Sequence, residues 1–297
     1  MRERGHTIVS LALGLLIWPI LALSTQAADE LDKKNISRSS PASPKLASMD
    51  YCADQYILAL ADRGQIVGLS ADATSVYSFF SALADGIPTS RGTAEDILAV
   101  GPDMVVRQWK GTVAIDALFK RADINAVVIP FAGSPDAALD SLVKFGDQIG
   151  RGEQARAFAA KRHAMRENLK TMPASGLKAL YVTPSGYTAG SGTSVDAIIK
   201  SAGLNTMADD YDLRGWHPLP MESIARTKPD VIITSYFELP RPASRWSLAQ
   251  SPLINQLLAD LPVIDLPASY LSCNGLFDID AASYIRTETQ KLGLIPK

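Results

Sequence analysis

The strongest constraint on how this chain folds is its rhythm. From Lys45 onward, short runs rich in Val, Ile and Leu alternate with longer amphipathic segments. A buried β-prone run followed by a run of helical period is the pattern of βαβ units, in which parallel strands are covered by helices. Strands are expected at 46–49, 66–69, 104–106 and 126–129, and again at 179–182, 231–234 and 263–266. Between the two groups, Ser134-Pro135-Asp136 opens a helix with Pro in its first turn, and Leu139, Leu142, Val143 and Ile149 keep a helical period up to Gly150. A second helix carries Ala155, Phe158, Ala159, Met165 and Leu169 on one face and stops near Pro173.

The two groups share a repeated element. Glu95-Asp96-Ile97-Leu98-Ala99-Val100-Gly101-Pro102-Asp103-Met104-Val105-Val106 matches Glu222-Ser223-Ile224-Ala225-Arg226-Thr227-Lys228-Pro229-Asp230-Val231-Ile232-Ile233. Each copy is a Glu, a short helix, a Pro-Asp stop and a buried run, because Pro cannot continue the helix and Asp suits the turn. Any αβ unit can read this way, but its presence in both groups favours a duplicated pair. The expectation is an α/β protein of two Rossmann-like lobes with parallel sheets, joined by a single long helix, with a ligand cleft between the lobes. In residues, this gives an N-terminal lobe at 45–150, a linking helix at 151–173 and a C-terminal lobe at 174–297.

The segment before Lys45 is of another kind. Arg2, Arg4 and His6 precede an apolar run at 8–23, and Ser24-Thr25-Gln26-Ala27-Ala28 follows. That order is a secretory signal peptide, residues 1–27, and the run is shorter than the roughly 20 residues that span a bilayer. Residues 28–44, with their Lys, Ser and Pro, read as a flexible leader. The expected location is the periplasm. The balance of 29 basic and 31 acidic residues lacks the excess of positive charge that nucleic-acid binding requires. Three His and two Cys make a four-ligand structural zinc hard to assemble, so no metal site and no cofactor are expected.

In open α/β sheets ligands bind beyond the carboxyl ends of the strands. Here those positions are aromatic: Tyr51, Trp109 and Phe131 in the first group, Tyr187, Tyr236 with Phe237, and Tyr270 in the second, with Trp216 beside His217 in a loop on the same side. Rings on two facing rims suit a bulky, partly apolar ligand. The competing role, a ring that plugs the end of its own sheet, fits two or three of them. Arg107, Lys110, Arg214 and Arg241 lie near the same ends, with Lys110 and Arg241 the better placed to meet anionic oxygens. Cys52 and Cys273 stand in post-strand segments, one per group, and either form a disulfide across the cleft or remain thiols that face a metal-bearing ligand. The glycine-rich stretch 186–194 opens a helix capped by Thr193 or Ser194; its glycines lack the GxGxxG spacing and no Walker lysine follows. His163 is expected on the solvated side of the linking helix.

Taken together, 47–55 at the start of the first lobe, Val67-Gly68-Leu69-Ser70, Arg91-Gly92-Thr93-Ala94-Glu95-Asp96-Ile97-Leu98 through Pro102-Asp103, and Gly190-Ser191-Gly192-Thr193 leading to Ala202-Gly203-Leu204-Asn205 resemble the class III periplasmic substrate-binding proteins of ABC importers. The resemblance runs over roughly residues 45 to 292. It implies a monomeric, non-enzymatic receptor for a ferric siderophore, haem or cobalamin, an ABC permease as partner, and one docking carboxylate per lobe, at Glu95 and Glu222. Both Glu residues also start helices, where a carboxylate is favoured by the N-terminal dipole. The expected ligand-binding set is Tyr51, Cys52, Trp109, Phe131, Tyr187, Trp216, Tyr236, Arg241, Tyr270 and Cys273. An iron-siderophore is the first expectation and a corrinoid or haem the second. The loop Leu271-Ser272-Cys273-Asn274-Gly275 and Cys52 depart from the cobalamin-binding members. A reading of another class is a secreted hydrolase with Ser191 as nucleophile, for which no partner base is identifiable.

Overall fold

A computed structural model describes residues 43–109, 111–237, 251–273 and 275–296. The expected signal peptide at 1–27 and nearly all of the expected leader at 28–44, together with Lys110 and Arg241, lie outside the described residues. In chain order the first half contains β1 (Leu46–Ser48), α1 (Tyr51–Leu60), β2 (Ile66–Ser70), β3 (Thr89–Ser90), α2 (Ala94–Val100), β4 (Met104–Arg107), α3 (Val113–Arg121) and β5 (Asn125–Val128). Two long helices follow, α4 (Pro135–Gln148) and α5 (Gly152–Thr171). The second half contains β6 (Lys178–Val182), β7 (Tyr187–Ala189), α6 (Ser194–Ser201), β8 (Asn205–Thr206), β9 (Trp216–Pro218), α7 (Met221–Arg226), β10 (Val231–Ser235), α8 (Pro252–Asp260), β11 (Val263–Leu266) and α9 (Asp278–Lys291).

The first half builds a parallel sheet in the order β3-β2-β1-β4-β5 and the second a parallel sheet in the order β11-β10-β6-β8. All seven expected strands are present, with ends shifted by about one residue, within the fraying of any strand assignment. Leu46, Met104 and Val106 pack on one side of the first sheet with α1 and α4, and Ala47 and Val105 pack on the other with α2 and α3. Ala179, Tyr181, Val231 and Ile233 face α6 and α9, while Leu180, Val182 and Ile232 face α7 and α8. Both faces are buried, which is why these strands read as continuous apolar runs rather than alternating ones.

The repeated Pro-Asp element performs the same task twice. The Asp103 carboxylate accepts the Lys45 backbone N–H at 2.7 Å, and the Asp230 carboxylate accepts that of Lys178 at 2.7 Å. Each Asp therefore closes the helix-to-strand turn and fixes where the neighbouring strand, β1 or β6, begins.

Helix α5 packs against α1 and α4 on one side and α6 and α9 on the other. Arg162 of α5 reaches Asp280 of α9 with two hydrogen bonds of 2.9 and 3.1 Å, and its guanidinium lies 3.5 Å from the centre of the Phe158 ring. After β11 the chain returns to the first half: Cys273, Leu276 and Phe277 are buried in the core formed by α1, α4 and the first sheet. Phe277 stacks on Phe79 at 4.0 Å. Among the described residues, no helix is long and apolar enough to cross a membrane.

Candidate functional site

The two halves meet around a cavity of about 460 Å³, lined by Ala132, Gly133, Ser134 and Pro135 from one side, Gly192, Thr193, Ser194, Asp196, Ala197, Ile198 and Ser201 from the other, and Gly275, Asp278 and Ile279 from the returning chain. Three helices begin here. Ser134 caps α4 by accepting the Ala137 N–H at 3.2 Å, Thr193 caps α6 by accepting the Asp196 N–H at 3.1 Å, and α9 starts at Asp278. Such termini present free N–H groups and partial positive charge. Gly275 adopts φ +80, and a Cβ there would lie 2.9 Å from the Ser134 carbonyl oxygen, so only glycine lets the returning chain touch the start of α4. Asp278 is buried against this surface, and desolvation pushes its carboxyl up to about 6, opposed by a hydrogen bond from the Gly275 backbone.

Outside the lining of this cavity, each half also exposes aromatic rings. Of the described large apolar residues that remain exposed, four are aromatic: Trp109 at 38%, Phe131 at 68%, Tyr187 at 42% and Trp216 at 51%. All four belong to the set expected from the sequence. Trp109 and Phe131 stand beyond the ends of adjacent strands β4 and β5. Tyr187 and Trp216 come from a feature the sequence reading missed, a two-stranded antiparallel ribbon in which Tyr187 pairs with Pro218 and Ala189 with Trp216. Side chains two residues apart share a ribbon face, so Tyr187, Trp216 and Pro218 present one exposed face. His217, half-buried, lies on the other face. The strands of this ribbon lie 26 residues apart in sequence, far beyond the spacing at which a hairpin can be recognised.

The remaining expected residues are placed differently. Tyr51 is half-buried beside Tyr77, with ring centres 5.8 Å apart. Tyr270 packs edge-on to Phe79 at 5.0 Å and against Tyr284 at 5.2 Å, where the second half meets the first. Tyr236, just after β10, holds φ +66, a conformation that costs a non-glycine residue on the order of 1 kcal/mol or more. Cys52 and Cys273 are joined in a disulfide with their Cα atoms 5.4 Å apart, both almost wholly buried, so they bind the returning chain to the first turn of α1. The bridge belongs to the core of the first half, and neither sulfur is a free thiol.

The floor of the first half is a polar network. Asp50 caps α1 by accepting the Ala53 N–H at 2.8 Å and also takes the Gln108 N–H at 2.7 Å, which ties the segment before Trp109 to α1. Asp54, fully buried, accepts from the hydroxyls of Ser48 and Ser70 and from the Ser70 N–H, at 3.0 Å for the last. Desolvation pushes its carboxyl up to about 6 despite these donors.

Glu95 and Glu222 are exposed and stand in the first turns of α2 and α7, at equivalent places in the two halves. Ser191 donates its hydroxyl to the Leu213 carbonyl at 3.3 Å, with no histidine at hydrogen-bonding distance among the bonds found, and no observation supports a nucleophile there. His163 is half-buried on α5 and contacts Arg166 and Asp136. Among the described residues no group of three or more His, Cys, Asp and Glu could hold a metal ion.

No protein-family model matches the chain. A cobalamin-binding protein of Halobacterium salinarum is 26% identical over 213 residues, which is 69% of this chain and 58% of that protein, so the chain spans less than two thirds of this relative's length. Among solved structures, the periplasmic heme-binding protein HutB of Vibrio cholerae superimposes with a TM-score of 0.63 at 22% identity, over 82% of this chain and 97% of that one. The periplasmic heme-binding protein RhuT of Roseiflexus sp. RS-1, in apo form, gives a TM-score of 0.58 at 21% identity over 84% of this chain and 100% of that one. The chain therefore has the class III periplasmic binding-protein fold, the same resemblance that its sequence carries.

Proposed function

We propose that this protein is the periplasmic receptor of an ABC importer, which captures a metal chelate between its two halves and delivers it to a membrane permease. The observation that carries this reading is the set of four exposed aromatic rings, two on each half, together with a cavity built from both halves. Exposed rings of this size are costly on a surface that binds nothing and give large contact area at little loss of side-chain entropy when they do bind. The metal comes inside its chelator, and the protein supplies enclosure rather than a reaction. Residues 1–27 direct the chain to the periplasm, where it acts as a monomer.

An iron-siderophore is the first ligand class, as the sequence suggests. The names of the relatives, heme-binding and cobalamin-binding, favour a second reading in which the ligand is a flat tetrapyrrole, haem or a corrinoid. Titration of the purified protein with ferric hydroxamates, ferric catecholates, haem and cobalamin, read by tryptophan fluorescence, separates the two. Saturable one-to-one quenching by one class at micromolar concentration is the expected result, and no response to any member removes the metal-chelate reading.

Docking is assigned to Glu95 and Glu222, one exposed carboxylate at the same position of each half, facing basic residues of the permease. Glu95→Arg combined with Glu222→Arg is expected to leave chelate affinity intact and abolish uptake in cells; undiminished uptake would refute the assignment.

A further inference from the structure

Among the described residues the most unusual group is Arg107, the last residue of β4. It is 1% exposed, the largest of the fully buried side chains. One guanidinium nitrogen, Nη2, reaches the carboxylate of Asp116 on α3, which is itself half exposed. Nε and Nη1 are buried with no hydrogen-bond partner. A buried guanidinium with two idle nitrogens is expensive, and a native fold retains such a group only for a reason.

The chain around it is shaped to hold it. The Trp109 ring lies over the guanidinium, 5.2 Å from its carbon to the ring centre, the geometry of a cation–π contact. Gly111 holds φ +73, and a Cβ there would come within 2.6 Å of Nη1, so a side chain at this place would push the guanidinium aside. Arg107 also forms part of the wall of a cavity of about 720 Å³ that runs along edge strand β5 and includes Lys120, Asn125 and Val128, together with the carboxylates of Asp116, already paired with Arg107, and Asp123. Val128 is the register partner of Arg107, so one end of this cavity lies where β4 and β5 finish, the strands that Trp109 and Phe131 follow in sequence.

We infer that Arg107 is a specificity-determining residue that reads an anionic oxygen group of the ligand, such as a carboxylate, while the body of the ligand packs on Trp109. The idle donors of Arg107, with Lys120 as a second cation, take the anion, and the Trp109 ring covers the cation until it arrives. The inference rests on the receptor reading and deepens it, because it states which part of a chelate the first half recognises.

Two arms test it. In the first, wild type and Arg107→Gln are titrated with chemically matched probes: haem and haem dimethyl ester, which share a macrocycle but differ in two carboxylates, and an anionic ferric catecholate beside a neutral ferric trihydroxamate. Wild type should prefer the anionic member of a pair by roughly ten- to hundredfold, the worth of charge-assisted hydrogen bonds, and Arg107→Gln should bring that preference to within about twofold. A preference unchanged in the variant overturns the inference. In the second arm, thermal melting of ligand-free Arg107→Met is compared with wild type. The expected melting temperature is equal or higher, since a cation kept for ligand costs stability and the half-exposed Asp116 can be rehydrated. A fall of several degrees marks Arg107 as a structural ion pair and overturns the inference. Should no chelate bind, the receptor reading fails, and the melting arm alone decides the role of Arg107.

Discussion

The ends of β4 and β10 occupy the same place in a duplicated frame. Both strands follow a Pro-Asp stop, both lie beside the first strand of their half, and both are followed by an aromatic residue: Arg107-Gln108-Trp109 in one, Thr234-Ser235-Tyr236 in the other. At the position of Arg107 the second half has Thr234, whose hydroxyl donates to Asp265 at 2.9 Å. One half has a small, hydrogen-bonded pair; the other holds a large cation with two donors unused. The frame is duplicated because each half needs it to fold. The difference at its mouth is where the two copies part, which makes it the place to look for ligand specificity.

A second contrast lies in how each half presents its rings. The first sheet offers Trp109 and Phe131 directly from strand ends, while the second interposes the β7–β9 ribbon and offers Tyr187 and Trp216 from that. The sheets are otherwise ordered alike: β2-β1-β4-β5 corresponds to β8-β6-β10-β11, and β3 is the extra strand of the first half.

The largest test of the comparison breaks the link between the halves. The Cys52–Cys273 disulfide closes a span of 221 residues. Replacing both cysteines by alanine should cost about 2–5 kcal/mol, measured by chemical denaturation, and added reductant should reproduce that loss in wild type. A smaller loss would mean that the packing of Leu276 and Phe277 holds the returning chain without the bridge.

Next in size is Asp278, where the returning chain enters the cavity. Its carboxyl is raised to about 6 by burial, so the folded state binds a proton that the unfolded chain releases near 4. The stability tied to that proton is present at acid pH and lost as pH rises from about 4 through about 6. Asp278→Asn should therefore stabilise the protein at pH 7.5 by about 1–2 kcal/mol and flatten the pH dependence across that window. Asp54, also raised to about 6, titrates in the same window, so part of the slope should remain in the variant.

The smallest effect tests the duplication itself. Asp103→Ala and Asp230→Ala each remove one hydrogen bond to the first strand of a half, and each should cost about 1 kcal/mol by denaturant titration. Unequal losses would show that the repeated element has drifted to different roles.

Much of this architecture is legible in the residues. The strand runs are continuous and apolar because both sheet faces are covered, and Ser134 and Thr193 stand where their hydroxyls cap helices. The exposure of Trp109 and Phe131 is legible too, since position after a strand is a statement about sequence. Two features were not. The β7–β9 ribbon depends on a pairing between distant segments, and three-residue strands carry no periodicity of their own. The burial of Arg107 went unread because an arginine at a strand end is usually solvated. Its period-2 relation to the buried Val105 and the glycine four residues on were the available signals. The cysteine pairing was open for a related reason: sequence places each residue after a strand but does not bring the chain back from β11 to α1.

The central claim is that one ligand is held by both halves, and tryptophans at 109 and 216 make it directly measurable. In protein lacking residues 1–27, and hence Trp18, and with Trp246→Phe as background, Trp216→Phe leaves a reporter on the first half and Trp109→Phe leaves one on the second. Titrated with the chelate that binds wild type, both reporters should respond at one-to-one stoichiometry, each with the midpoint that direct calorimetry gives for the same variant. A response confined to one reporter, with the other silent at saturation, would contradict capture between the halves.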